Sequence, residues 1–224
     1  MINIAIDGPA GAGKSTIARL LAQKLGILYL DTGAMYRAIG LKSLRLGVDR
    51  RSEPAMAAML DQTDLLIRFV DQQQQVLLDG EDVTNLIRTP EVSIAASDVS
   101  ALTVVRIRLV DIQRRIAAAQ DLILDGRDIG TYVLPTASHK FFLTADTGER
   151  ARRRLLDLRS RGDQSATLEQ VQEDMAYRDL QDSSRALAPL RQADDAVLID
   201  TTGLSVDDVV AIVLEHVSLQ GGCV

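Results

Sequence analysis

Cysteine, tryptophan and histidine are nearly missing from this 224-residue chain, which has one Cys, no Trp and two His. The lone Cys223 excludes an intramolecular disulfide and a cysteine metal cluster. Aromatic residues make up only 3%, which leaves little for the stacking platforms of single-strand nucleic-acid binders. A net charge of −6 argues against a general polyanion binder, so any phosphate contact must rest on a local cluster. No apolar run reaches the about 18 residues of a membrane span, and Asp7 interrupts the N-terminal apolar run where a signal peptide would continue. The expectation is a cytoplasmic protein with neither nucleic acid nor membrane as partner. With 46% hydrophobic and 25% charged residues, the length suits one α/β core with an insertion better than two domains.

What is present begins at residue 3. Ile4 and Ile6 lie on a short β-like run, and Gly8 to Ser15 then fit G-x-x-x-x-G-K-[ST], the P-loop pattern. Ile17, Leu20, Leu21 and Leu25 recur at helical spacing after it. Glycine-rich backbone lets N–H groups converge on phosphate oxygens, and the helix start behind them favours anions. A plain surface turn would need no lysine at position 14. The loop residues Gly8, Pro9, Ala10, Gly11, Ala12, Gly13, Lys14, Ser15 and Thr16 are therefore the candidate ATP cradle.

The strand–turn–helix pattern repeats. Ile27 to Leu30 and Asp31 to Arg37 predict a second strand and a helix to Gly47, with Thr32 as its N-cap. Residues 65–70 and 76–78 predict two antiparallel strands, joined by a loop over Asp71 to Gln75. In the next helix Val105, Leu109, Ile112 and Ile116 share one face, which leaves Arg106, Arg108, Arg114 and Arg115 as solvent-facing by pattern. Leu122 to Thr131 has the form of a strand that ends in a carboxylate beside a nucleotide's metal, with Asp125 on the strand and Arg127 and Asp128 on the turn. Phe141 to Leu143 is a further strand. Two arginine-bearing helices follow, around 150–154 and 168–180, with a Gly-containing loop between them that suits a lid excluding water. The last unit pairs Ala196–Asp200 with a helix capped by Ser205, whose core side holds Val206, Val209, Val210 and Val213.

Taken together, the segments Asp7–Lys14, Asp31–Arg37, Gly80–Val83, Ile87–Val92, Asp125–Thr131 and Arg185–Leu190 resemble bacterial cytidylate kinases, nucleoside monophosphate kinases acting on CMP and dCMP. The likeness spans nearly the whole chain. A P-loop alone separates no such family, whereas its combination with Gly-Ala-Met-Tyr-Arg and Gly-Arg-Asp-Ile-Gly-Thr is far more specific. The resemblance implies a P-loop-type parallel sheet with helices on both faces, a small β-containing acceptor-binding insert over about 64–98 and a short helical lid over about 154–173. It also implies that Thr32, Arg37, Ser97, Arg106, Arg127, Asp128, Arg178, Asp182 and Arg185 line the CMP site. Ser97, Arg106 and Asp128 would lie nearest the cytosine edge. Lys14, Arg37, Arg127, Arg153, Arg154 and Arg185 would neutralise the transferring phosphoryl group, and Ser15 with Asp125, through water, would hold Mg²⁺. A monomer is expected. The family pattern usually has Ser where Thr32 stands and often Arg where Gln181 stands, which puts any role of position 181 in doubt.

Two other classes stay open on the residues alone. A P-loop kinase for another acceptor, such as a different nucleoside monophosphate or shikimate, shares the donor loop. A nucleotide-dependent switch is the second, although the guanine-reading Asn-Lys-x-Asp is missing, since neither Asn3 nor Asn85 precedes a lysine. The acceptor phosphate is already ionised, so no general base is demanded, and His139 and His216 are read as structural or surface residues rather than catalysts.

Overall fold

Apolar runs that end in turns become the strands of one parallel sheet. The computed structural model describes residues 1–160 and 162–220; Cys223 lies outside the described residues. Asn3–Asp7 (β1) leads through the glycine loop to Lys14–Leu25 (α1), and Leu28–Asp31 (β2) leads to Thr32–Leu46 (α2). Glu53–Asp61 (α3) precedes the strands Leu65–Val70 (β3), Gln73–Leu78 (β4) and Glu81–Asp82 (β5). Helices Pro90–Ser100 (α4) and Thr103–Ala117 (α5) follow, then strands Leu122–Gly126 (β6) and His139–Thr144 (β7). Thr147–Ser160 (α6), Leu168–Ser184 (α7), Val197–Asp200 (β8) and Val206–Gln220 (α8) follow among the described residues.

The five-stranded sheet runs β2-β6-β1-β7-β8 with every neighbouring pair parallel. Both faces are covered, as the near-continuous apolar strands require. Ile4 and Ile6 pack with α1 and α8 through Ile17, Leu21, Val209 and Val213. Ala5, between them, faces the other layer with Leu30, Leu124, Val105 and Leu109. Four of the five strands carry an aspartate at or next to their carboxyl ends, namely Asp7, Asp31, Asp125 and Asp200. The crevice beyond those ends is where a sheet of this type binds ligands.

Local chemistry departs from expectation in four places. Asp71 and Gln72 adopt φ of 50° and 62°, so the turn of the β3–β4 hairpin needs only two residues. Gln73 to Gln75 therefore pair as strand, opposite Val70, Phe69 and Arg68, rather than forming the expected loop. Within the span 64–98, strand ends at Asp82 and Pro90–Ser100 is helix; Thr89 caps it by accepting from Val92 N at 3.2 Å, with Pro90 at its first turn. Thr32 is not the cap of α2, because the Asp31 carboxylate takes Ala34 N at 2.9 Å. Val206 is exposed at the start of α8 instead of lying on its core side.

Helices α2 and α4 pack closely through Gly40, where a Cβ would lie 2.9 Å from Ala96 N and 3.2 Å from the Ala95 side chain. Backbone, not a flexible side chain, would have to give. Gly40→Ala is expected to cost about 1–3 kcal/mol of stability in urea unfolding despite alanine's better helix propensity. A variant as stable as the parent would show that the two helices separate freely.

Candidate active site

The glycine loop holds its shape through backbone geometry that side chains would forbid. Gly8 has φ 145°, and a Cβ there would meet Leu143 O at 2.0 Å; Gly13, φ 87°, turns the chain into α1. Lys14 Nζ donates back across the loop to Pro9 O at 2.7 Å. Burial, with Arg127 nearby, pulls the Lys14 ammonium down to about 7. The loop is thus a buried cation site that phosphate oxygens would relieve. Arg150 Nη1 braces the loop from α6 by donating to Ala10 O at 2.9 Å, and it also pairs with Asp179 at 2.7 Å.

Beside the loop, Ser15 Oγ donates to Asp125 Oδ2 at 2.6 Å and the Tyr29 hydroxyl to Oδ1 at 3.0 Å. Burial and the neighbouring Asp31 raise the Asp125 carboxyl above its ordinary range. Thr32 Oγ1 donates to the Asp125 carbonyl at 2.7 Å, which ties the second βα turn to the end of β6. Asp7, at the end of β1, accepts from Ile129 N at 2.8 Å and Gly130 N at 2.7 Å. Burial pushes its carboxyl up to about 7 against the pull of those two donors.

Loop, strand ends and helices enclose a cleft of about 710 Å³. Nine cationic and six acidic side chains line it, an excess of three positive charges on a chain whose net charge is −6. The local field is therefore built for a polyanion.

On the side away from the loop, Arg106 is fully buried on α5 and pairs with the Asp128 carboxylate. The helical pattern had assigned it to solvent. Tertiary pairing overrides that pattern, and its guanidinium also stands 5.9 Å from the Tyr36 ring centroid. Arg127 Nε reaches Asp182 at 2.6 Å, and Arg185 pairs with the same carboxylate while donating to Ser100 Oγ at 2.9 Å. Burial would raise the Asp182 carboxyl, but Arg127 and Arg185 hold it below its ordinary range. For Asp128 burial prevails over Arg106 and Arg185, and its carboxyl lies high. The buried Ser97 hydroxyl has no partner among the described residues. Arg178 lines the cleft and is drawn down to about 10 by burial and Arg127.

Asp31 gathers a second cluster, with Arg37 at 2.7 Å and Arg88 at 2.8 Å on one carboxylate oxygen. Gln74 of β4 grips the main chain of the same residue, accepting from Asp31 N at 2.7 Å and donating to Asp31 O at 3.2 Å. Arg153 also lines the cleft but donates to Thr201 Oγ1 at 2.9 Å, Thr201 O at 2.7 Å and Glu149 at 3.0 Å; Arg154 pairs with Asp157 at 2.7 Å.

The structure thus brings nearly all the candidates to one cleft; of the loop only Gly8 and Pro9 are not among its lining residues, and Arg106 is buried against Asp128. Arg88, Asp31, Tyr29 and Asp7 were missed. Arg88 had no local signal, since its partner lies 57 residues away, whereas Asp31 had the same strand-end position that singled out Asp125. His139 and His216 lie elsewhere: His216 Nδ1 is 2.8 Å from Ile212 O and its ring stands edge-on to Phe141.

A strand, glycine loop and helix beside a strand-end carboxylate, facing an arginine-rich wall, define a P-loop phosphotransferase. Residues 4–219 match the cytidylate kinase family. A cytidylate kinase from Caldicellulosiruptor saccharolyticus is 54% identical over 214 residues, covering 96% of this chain and 94% of the relative. One from Carboxydothermus hydrogenoformans is 50% identical over 214 residues and 96% of each chain. The chain belongs to the cytidylate kinase family. Among solved structures, an uncharacterized protein from Eubacterium ventriosum superposes with a TM-score of 0.54 at 13% identity, covering 97% of this chain and 98% of that one, which supports the fold alone.

The Asp31 cluster makes stability depend on pH. Burial raises its carboxyl, but Arg37 and Arg88 outweigh this and bring it from 3.8 to about 2. A depressed folded value stabilises above 3.8 and loses that contribution as pH falls towards 2. Asp31→Asn, which can still cap α2, is expected to lose about 2 kcal/mol at pH 7. The gap from the parent should close in urea melts as pH falls from about 4 towards 2.

Proposed function

We propose that this chain transfers the γ-phosphoryl group of ATP to CMP or dCMP, giving ADP and CDP or dCDP. The carrying observation is the buried Arg106–Asp128 pair opposite the glycine loop, with the open Ser97 hydroxyl on the same wall. A carboxylate there accepts from the exocyclic amino group of cytosine, and an arginine and a hydroxyl donate to the ring acceptors. Uracil would turn a carbonyl towards the carboxylate and be repelled.

In this reading Lys14 and the loop amides bind the β- and γ-phosphates. Arg37, Arg127 and Arg185, with Arg88 beside Arg37, receive the acceptor phosphate and the charge that spreads over the transferring group. Arg153 and Arg154 approach from α6. Arg178 and Asp182 serve the sugar. No proton needs to be removed from an ionised phosphate, so positioning and charge neutralisation supply the catalysis. Residues 64–98 bear the acceptor and 154–173 close over the phosphates to exclude water.

The donor set fits Mg²⁺, because the Ser15 hydroxyl and Asp125 carboxylate are hard oxygens side by side at the loop. Among the described residues no cluster of three acidic, histidine or cysteine groups could hold a metal. That suits an ion whose shell is completed by phosphate and water. When bound it neutralises β- and γ-phosphate charge. A single chain supplies both halves of the cleft, which supports a monomer. No helix among the described residues is long and apolar enough to cross a membrane.

The decisive assay is ADP release across CMP, dCMP, UMP and AMP; equal rates for all four would sink the reading. Asp128→Ala is expected to raise KM for CMP at least about 10-fold while KM for ATP moves little, since it deletes a base contact. Equal rises in both would remove Asp128 from the acceptor site. Lys14→Ala should lower kcat by about 10²–10³-fold with the thermal unfolding midpoint nearly unchanged, and a fall in activity explained by unfolding would count against its role.

A further inference from the structure

The turn that carries Asp128 is built in an unusual way. Ile129–Val133 form one π-type turn closed by Tyr132 N and Val133 N on Asp128 O, at 2.9 and 3.0 Å. The first N–H groups of such a turn have no partner inside it, and an aspartate just before them ordinarily turns its own carboxylate back to accept the second or third of them. Asp128 stands in that position and makes no such bond. Its carboxylate points to Arg106 instead. Ile129 N and Gly130 N, the latter being the one an Asp128 cap would take, are both held by Asp7, which lies 122 positions before Ile129, is 4% exposed and gives one oxygen to each.

We infer that Asp7 is a positioning residue for acceptor recognition: by capping the turn from outside, it frees the Asp128 carboxylate to pair with Arg106 and to face the cytosine amino group. The inference rests on the acceptor reading above. It adds a physical link between the two halves of the cleft, because Asp7 is the last residue of β1 before the glycine loop. Both carboxylate oxygens are committed to the turn, at 2.8 and 2.7 Å. In Asp7→Asn the shape is kept, but an NH₂ faces one of the two N–H donors. The buried N–H then lacks an acceptor, and the nearest one along the chain is the carboxylate of Asp128 itself. Once that carboxylate swings back, it leaves Arg106 unpaired and the base edge unread.

The test compares parent, Asp7→Asn, Asp7→Glu and Asp128→Asn by steady-state kinetics with CMP and UMP, and by calorimetric CMP binding. Asp7→Asn should raise KM and Kd for CMP about 10-fold or more and lower the CMP-to-UMP ratio of kcat/KM by a similar factor, with KM for ATP within about 3-fold of the parent. Asp7→Glu, which keeps both oxygens but moves them one carbon further along the side chain, should shift both in the same direction by less. If Asp7→Asn does not fold, Asp7→Glu decides. A purely structural loss would lower the active fraction without moving the CMP-to-UMP ratio, and that result would overturn the inference. So would equal rises in KM for ATP and CMP. If Asp128→Asn lowers the ratio and neither other variant does, the inference fails alone. If Asp128→Asn also leaves the ratio unchanged, the base reading fails and takes the inference with it.

Discussion

Charge taken out of water must find charge again, and this cleft is arranged around that constraint. Isolated buried ions would be costly, and removal of one partner from such a pair leaves the other stranded. Asp31 holds Arg37 and Arg88, Asp128 holds Arg106, and Asp182 holds Arg127 and Arg185. Each carboxylate fixes its arginines before any ligand arrives, so little reorganisation remains for the moment of transfer. The surplus of positive charge is left for the nucleotide phosphates to meet.

The parallel sheet makes this arrangement possible. Strand ends bring Asp7, Asp31 and Asp125 to one edge of the molecule, and the helices behind them deliver the arginines. The two sides of the cleft draw on different kinds of structure. The glycine loop needs backbone freedom and one lysine, whereas the far wall needs side chains from α4, α5, α7 and the turn after β6.

The donor half was legible because its logic is local: glycines, lysine and serine fall within eight residues between a strand and a helix. Strand ends with Asp125 and the Arg127–Asp128 turn were legible for the same reason. The acceptor half was read through resemblance, since pattern alone sent Arg106 to solvent and gave Ser97 no distinction. Arg88 and Asp7 escaped because their meaning lies in partners 57 and 122 residues distant. The glutamine run misled through composition: polarity suggested a loop, while left-handed Asp71 and Gln72 completed the turn and let the other three glutamines extend the strand. Helix α4 did have a local signal in Thr89–Pro90, but the neighbouring strand character obscured it.

The grip of Gln74 on Asp31 has a consequence beyond the cleft. β2 is an outer strand of the sheet, and an outer strand offers unpaired N–H and C=O groups to any passing chain. One glutamine amide satisfies both groups of Asp31, much as a neighbouring strand would. The small antiparallel sheet is thereby fastened to the large one by a side chain that imitates a backbone. In doing so it closes part of an edge whose groups would otherwise stay open to pairing.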